Sequence, residues 1–254
     1  MKLRILLALV ASLFLPSCRK TTLVDVKQAG ISLRYDSRDF AAPSIMQQPR
    51  LTAEENGTDV PVAVGPAHMV VSFDKESRSY ISFVPLEDNS VSDYAKAYPQ
   101  ADKAAMELRK TFKDRPAEFS PGVQLPDLSA VDEEQELHAK VRYIDLPQLS
   151  GVAFLVQYTQ EDHGDPVNNE ELRYVFQGIT KDGRYYIDAR FKIANPSLPQ
   201  GVQETNSIAR DDGNQYLRRG EKDLEALPDD SFKPSITGLN RLLASIAVSP
   251  VTSR

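Results

Sequence analysis

The sequence predicts an α+β fold, a single domain in which a mainly antiparallel sheet of about six strands is packed by helices. Three observations carry this. Four strand-like runs follow one another between His138 and Ile193, short turns join them, and apolar helical stripes frame them on both sides in the chain. Strands joined by short turns pair antiparallel, and helices then cover the sheet.

The first element is a leader. Lys2 and Arg4 precede an apolar run from Ile5 to Leu15, which closes with Pro16-Ser17-Cys18. About ten apolar residues are too few for a bilayer, which needs roughly 20 in a helix, so the run reads as a removable export signal. A basic start, a short apolar stretch, a small residue and then a cysteine is the layout of a bacterial lipoprotein signal over residues 1–17. Pro16 departs from the Ala or Ser expected there. A buried N-terminal helix or an unacylated secretory signal are the competing readings. On the lipoprotein reading Cys18, the only cysteine in the chain, becomes the first residue and carries diacylglycerol on its sulfur. A further chain such as palmitate on its amino group gives stable membrane attachment, where one chain is marginal.

Residues 18–29 are then the lipidated cysteine and a polar tether, which as a flexible coil spans about 18 Å. Residues 30–249 form the globular domain and 250–254 a disordered tail. With 1–17 removed, 237 of the 254 residues remain and none is cysteine, so a hydrophobic core alone must hold the fold. At 41% hydrophobic and 26% charged residues the composition is that of an ordinary globular protein.

From Gly30 the pattern becomes that of strands. Ile31, Leu33 and Tyr35 alternate with polar residues, and Met69–Phe73 and Ser79–Pro85 read as a hairpin across Asp74-Lys75-Glu76-Ser77. Residues 41–66, rich in Pro, Gly, Asn and Glu, read as an irregular excursion. A helix starts at Pro99 with Ala101, Ala105, Leu108 and Phe112 as its apolar stripe, and Pro116 stops it. Residues 115–136, with the acidic run Asp132-Glu133-Glu134, read as a long surface loop.

The four runs of the sheet are Ala139–Leu146, Val152–Gln160, Glu171–Thr180 and Arg184–Ile193. Val152–Val156 is apolar on both faces, which predicts a central strand covered on two sides. In the last run Arg184, Asp188, Arg190 and Lys192 alternate with apolar residues, which predicts one wet face. Lys181-Asp182-Gly183 supplies the tight turn before it. After the sheet, Tyr216, Leu217, Leu224 and Leu227 predict a helix broken or weakened near Gly213 and Gly220. A final helix carries Ile236, Leu239, Leu243 and Ile246 and starts near Pro234-Ser235.

Charge limits the partners. The chain has 30 basic and 36 acidic residues. Losing Lys2 and Arg4 with the leader leaves 28 against 36, a net −8. Such a body gains nothing from polyphosphate, so nucleic acid is not an expected partner. It is also repelled by anionic headgroups, so the acyl chains on Cys18 must do the holding. Arg19 stands where an Asp favours inner-membrane retention, so in a Gram-negative cell the expected location is the periplasmic face of the outer membrane.

Catalytic signatures are missing. The sequence has no Gly-x-Ser-x-Gly elbow, no Gly-rich phosphate loop, no dinucleotide fingerprint and no paired-His zinc helix. No catalytic residue, metal site or cofactor is predicted. His68, His138 and His163 fall on separate elements, the first two as edge residues before strands. Glu161-Asp162-His163-Gly164-Asp165 lacks the ligand spacing of a calcium loop and reads as a solvated hairpin connection. What stands out is a group of uncharged polar residues in strand contexts: Gln157, Tyr158, Asn168, Asn169, Tyr174 and Gln177. Amides and phenols both donate and accept. They suit a neutral polar ligand or a peptide backbone, and equally the satisfaction of buried loop backbone.

Val141–Gln160 and Asn168–Ala189 carry Gln157-Tyr158-Gln160, Asn168-Asn169, Glu171-Leu172, Tyr174, Phe176-Gln177-Gly178, Thr180, Asp182-Gly183 and Tyr185-Tyr186. This core resembles a family of uncharacterised bacterial secreted proteins, often found behind a lipoprotein signal. The resemblance implies an envelope lipoprotein and no particular reaction. The expected function is therefore a non-enzymatic, membrane-anchored binding or accessory protein of the cell envelope. Its partner is an envelope protein or a small polar ligand, met by the sheet around Gln157–Gln177. The alternatives are an envelope hydrolase acting on glycan or peptide through acidic residues, and a structural stabiliser of an envelope complex.

Overall fold

The computed structural model describes residues 23–28, 30–51, 65–76, 78–116, 124–125, 128, 134–159, 167–201 and 213–249. The leader, Cys18, residues 250–254, Asp132-Glu133 and the 161–165 loop lie outside the described residues.

Two antiparallel sheets and four α-helices make up the described fold. In the smaller sheet β2 (Ile31–Asp36) lies between β1 (Leu23–Gln28) and β10 (Ala247–Val248). The larger sheet uses β3 (Ser44–Gln48), β4 (His68–Ser72), β5 (Tyr80–Pro85), β6 (Glu134–Asp145), β7 (Leu149–Thr159), β8 (Leu172–Thr180) and β9 (Tyr185–Lys192). Its order is β3-β4-β5-β9-β8-β7-β6. Helices α1 (Tyr94–Ala97) and α2 (Pro99–Asp114) come between β5 and β6, and α3 (Gly213–Ala226) and α4 (Ile236–Ala244) follow β9.

The period-two pattern decides what each face meets. Ala153, Leu155, Tyr174, Phe176, Ile187, Ala189 and Phe191 point one way, into a core shared with β2, Leu224 of α3, and Leu239 and Leu243 of α4. Val152, Phe154, Val156, Val175, Ile179 and Tyr186 point the other way, against Ala104, Ala105 and Leu108 of α2. A fully buried leucine such as Leu108 contributes roughly 2 kcal/mol. Pro99 occupies the first turn of α2 as expected, and the helix ends on Arg115 in the left-handed conformation (φ 42°), just ahead of Pro116. Ser235 caps α4 by accepting from the Gly238 N–H at 3.0 Å.

Several elements differ from expectation, each for a physical reason. Leu23–Gln28 is a strand and not part of a tether, because Val24 and Val26 pack on the core while Asp25 and Lys27 face outward. Ser44–Gln48 is a strand within the stretch read as irregular, defined by pairing with β4 and not by any alternation of its own. The expected loop over 115–136 ends early, since β6 starts at Glu134. His138 lies inside β6 and is buried. Gly220 does not break α3. A Cβ there would stand 2.7 Å from Val167 Cγ2, so the glycine permits close approach to the chain before β8. β7 is covered on both faces but is next to the edge strand, not central. Finally, β9 has no wet face, and Asp188 and Arg190 are buried.

Candidate functional site

The six polar residues singled out in the sequence do not form one surface. Gln157, Asn168, Asn169 and Tyr174 are buried and serve the chain itself. The Asn168 Oδ1 accepts from the Glu170 and Glu171 N–H groups, both at 3.0 Å, which closes the turn before β8. Asn168 N donates to Gln157 Oε1 at 3.2 Å, and Gln157 Nε2 donates to Glu136 Oε2 at 3.1 Å. Asn169 ties that turn to the segment leaving β9. Its Nδ2 donates to the Asn195 and Leu198 carbonyls at 3.1 Å, and its Oδ1 accepts from Asn195 N at 2.7 Å. Tyr174 donates to Asn240 Oδ1 of α4 at 2.7 Å, and burial pushes its phenol above the usual range. These contacts are the backbone-satisfaction role that such residues also suit.

Tyr158 and Gln177 lie on the α2 side, where they meet a charged pair that sequence reasoning placed in water. Gln177 of β8, Asp188 of β9 and Ser82 of β5 stand in one cross-strand row. Gln177 Nε2 donates to Asp188 Oδ1 at 2.6 Å, and the Tyr80 hydroxyl donates to Asp188 Oδ2 at 3.1 Å. Arg190 Nε is 3.7 Å from Asp188 Oδ1, and the Arg190 guanidinium lies 4.7 Å above the centre of the Tyr158 ring. Asp188 is 3% exposed, Arg190 8% and Gln177 0%. A charge so deep persists only when paired and hydrogen-bonded, and Asp188 has partners from three strands. Gln177 Oε1 accepts no hydrogen bond among the described residues. A buried carbonyl oxygen left without a partner costs free energy, so the position calls for a donor. The apolar residues of β7 and β8 on this face were the available signal: a face with Val152, Phe154, Val175 and Ile179 must be covered, and its neighbours on β9 with it.

A second polar group closes the edge of the sheet. β6 is an edge strand, and α3 lies along it. Glu221 Oε1 accepts the His138 backbone N–H at 3.0 Å, and Glu225 Oε1 accepts that of Lys140. Lys140 is left-handed (φ 53°) at a register shift between β6 and β7. Its Nζ reaches the Glu225 carbonyl and Asp229 Oδ1, both at 3.2 Å. Arg142 grips Asp229 with two bonds, of 2.7 and 3.2 Å. Burial resists ionisation of Asp229, but the bonds from Arg142 and Lys140 hold its carboxyl below the usual range.

On the Phe154 side of the sheet, His138 Nε2 lies 2.7 Å from Gln135 Oε1, with its ring edge-on to Phe154 at 5.4 Å. Gln135 also donates to the Leu125 carbonyl and accepts its N–H, both at 3.0 Å. Burial pushes the His138 imidazole down to about 4, so it is neutral at pH 7. Among the described residues no three His, Cys, Asp or Glu side chains converge as metal ligands. No helix among them is long and apolar enough to cross a membrane.

No protein-family model matches the chain, and no curated protein matches it. The Asp188 group gathers a carboxylate, an amide, a cation stacked on an aromatic ring and a phenol on one face of the sheet. That is the chemistry of holding a polar group.

Proposed function

We propose that the chain is a bacterial envelope lipoprotein, fixed to the membrane through acyl chains on Cys18, that works by binding and not by turnover. Its partner is an envelope protein segment or small ligand with a hydrogen-bond donor, held where Tyr158, Gln177, Asp188 and Arg190 meet. The single observation that carries the binding assignment is the fully buried Gln177 Oε1, which has no donor among the described residues. The anchor rests on the basic and apolar leader that ends at Cys18. The resemblance of the Gln157–Tyr186 core to secreted bacterial proteins points the same way.

Hydrolysis through acidic residues would have its natural centre at Asp188. Its hydrogen bonds from Gln177 and Tyr80 and its ion pair with Arg190 instead fit a carboxylate that positions neighbours.

The test is crosslinking and mass spectrometry of the native protein in its own envelope, comparing wild type with Tyr158→Ala. Tyr158 is only partly buried, and its loss removes the stacking surface under Arg190; circular dichroism checks that the fold is kept. The expected result is loss of the captured partner with unchanged circular dichroism. Capture that survives Tyr158→Ala would place binding elsewhere.

A further inference from the structure

Resting on the Cys18 anchor just proposed, we infer that the protein stands on the bilayer in a fixed sense. The end that carries Leu23, the Asp36–Phe40 turn and the β4–β5 turn touches the lipid surface. The β6–β7 and β8–β9 turns point away from it.

Only Arg19, Lys20, Thr21 and Thr22 separate Cys18 from Leu23, the first residue of β1. Five Cα steps reach at most about 18 Å. The start of β1 is therefore confined to a shallow layer above the headgroups. What else lies at that end follows from pairing and packing. Leu23 is opposite Asp36, which opens the turn leading to Phe40. Phe40 packs on Phe73 and Phe191, with ring centroids 5.1 and 5.6 Å apart. Phe73 leads directly into the β4–β5 turn, and Phe191 stands one residue before the last of β9, so these belong to the same end.

The opposite end is equally fixed. Gln28 is opposite Ile31, and the Gly30 carbonyl accepts from Ser249 N at 2.7 Å. Val248 N donates to Gln148 Oε1 at 3.2 Å, and Lys181 N donates to the Gln148 carbonyl at 2.8 Å. The β6–β7 and β8–β9 turns thus meet at the end where β1 finishes. β9 alone spans seven residue steps between the two ends, roughly 24 Å.

The surface chemistry of the near end suits a headgroup layer. Leu23 is 54% exposed, an apolar side chain placed where partial immersion removes it from water. Two of the acids there pair with arginines, Asp36 with Arg38 and Glu76 with Arg78, which offsets part of the repulsion between an acidic body and anionic lipid.

The test uses the full, matured chain from its native envelope, reconstituted in phosphatidylethanolamine–phosphatidylglycerol vesicles carrying a headgroup nitroxide. A thioether at Cys18 leaves no free thiol, so Lys75→Cys and Lys181→Cys each supply one labelling position on an exposed turn. A fluorophore at 75 should be quenched several-fold more strongly than one at 181. Equal or reversed quenching in a chain whose mass confirms acylation overturns the orientation and leaves the anchor standing. A free Cys18 thiol in the matured wild type overturns the anchor, and the orientation with it.

Discussion

Glu221 of α3 accepts the backbone N–H of His138 in β6 at 3.0 Å, so a helix side chain takes the place that another strand would fill. Glu225 does the same for Lys140 one helical turn and two strand residues further on. The two spacings match because four helical residues rise about 6 Å and two strand residues about 6.6 Å. Open strand edges recruit other chains, and carboxylates on the free N–H groups deny them that pairing.

Glu221→Ala with Glu225→Ala should therefore have two effects. Urea unfolding should shift by about 1.5–3 kcal/mol for each lost charge-assisted bond. Light scattering after size exclusion should show concentration-dependent self-association through the bared β6 edge. A variant as stable and as monomeric as wild type would show that the carboxylates only accompany the contact.

The pairing of Asp188 and Arg190 is tested by removing one partner and then both. Asp188→Ala leaves Arg190 buried without its carboxylate and should cost about 3–5 kcal/mol. Asp188→Leu combined with Arg190→Met should recover much of that loss, because well-packed apolar residues replace a buried ion pair at little cost. A denaturant double-mutant cycle measures the coupling. Independent, additive losses would mean that the two do not act as a pair.

His138 predicts a specific pH dependence. Its folded value of about 4 lies below the ordinary 6.5 of a solvated imidazole because burial disfavours the imidazolium. Above pH 6.5 both states hold it neutral and its contribution is constant. As pH falls from 6.5 to 4 the unfolded chain takes up the proton first, and about 3 kcal/mol of stability is lost across that window. Carboxylates titrate there too, so the readout is the difference between wild type and His138→Gln. Urea midpoints at pH 7, 5.5 and 4 should diverge less in the variant; parallel losses would remove His138 as the cause.

Gly151 and Gly178 face each other across β7 and β8, and the Phe176 ring lies over both. A Cβ on Gly151 would sit 2.2 Å from that ring and 2.7 Å from the Gln177 carbonyl oxygen. Gly151→Ala should cost about 1–3 kcal/mol by overpacking. Pairing it with Phe176→Leu should give back part of the loss. A calorimetric midpoint unmoved by Gly151→Ala would contradict the packing.

The sequence revealed the α+β class, the hairpin of β4 and β5, the four long strands and both long terminal helices, because period-two and period-3.6 patterns report directly which side is buried. It could not reveal β3, whose Ser-Ile-Met-Gln-Gln has no alternation and becomes a strand only through β4. Nor could it reveal β1, where alternation over six residues beside a polar stretch reads as tether. The site was half readable. Gln177 and Tyr158 stood out as polar residues in a sheet, but Asp188 and Arg190 had the spacing of a solvated face. Whether an alternating charge is wet depends on what covers it. Here Tyr80, 108 residues away in the chain, and Tyr158 on β7 help to decide.

The inward charges of β9 also act as a proofreader during assembly. A slip of one residue would turn Asp188 and Arg190 toward Phe73, Leu239 and Leu243, stranding both ions in hydrocarbon. Tyr80 and Gln177 come from the strands on either side, so the carboxylate is fully satisfied only when both flanks have docked in frame. Wrong alignments are thereby made to fall apart, and the chain is left one way to close its widest sheet.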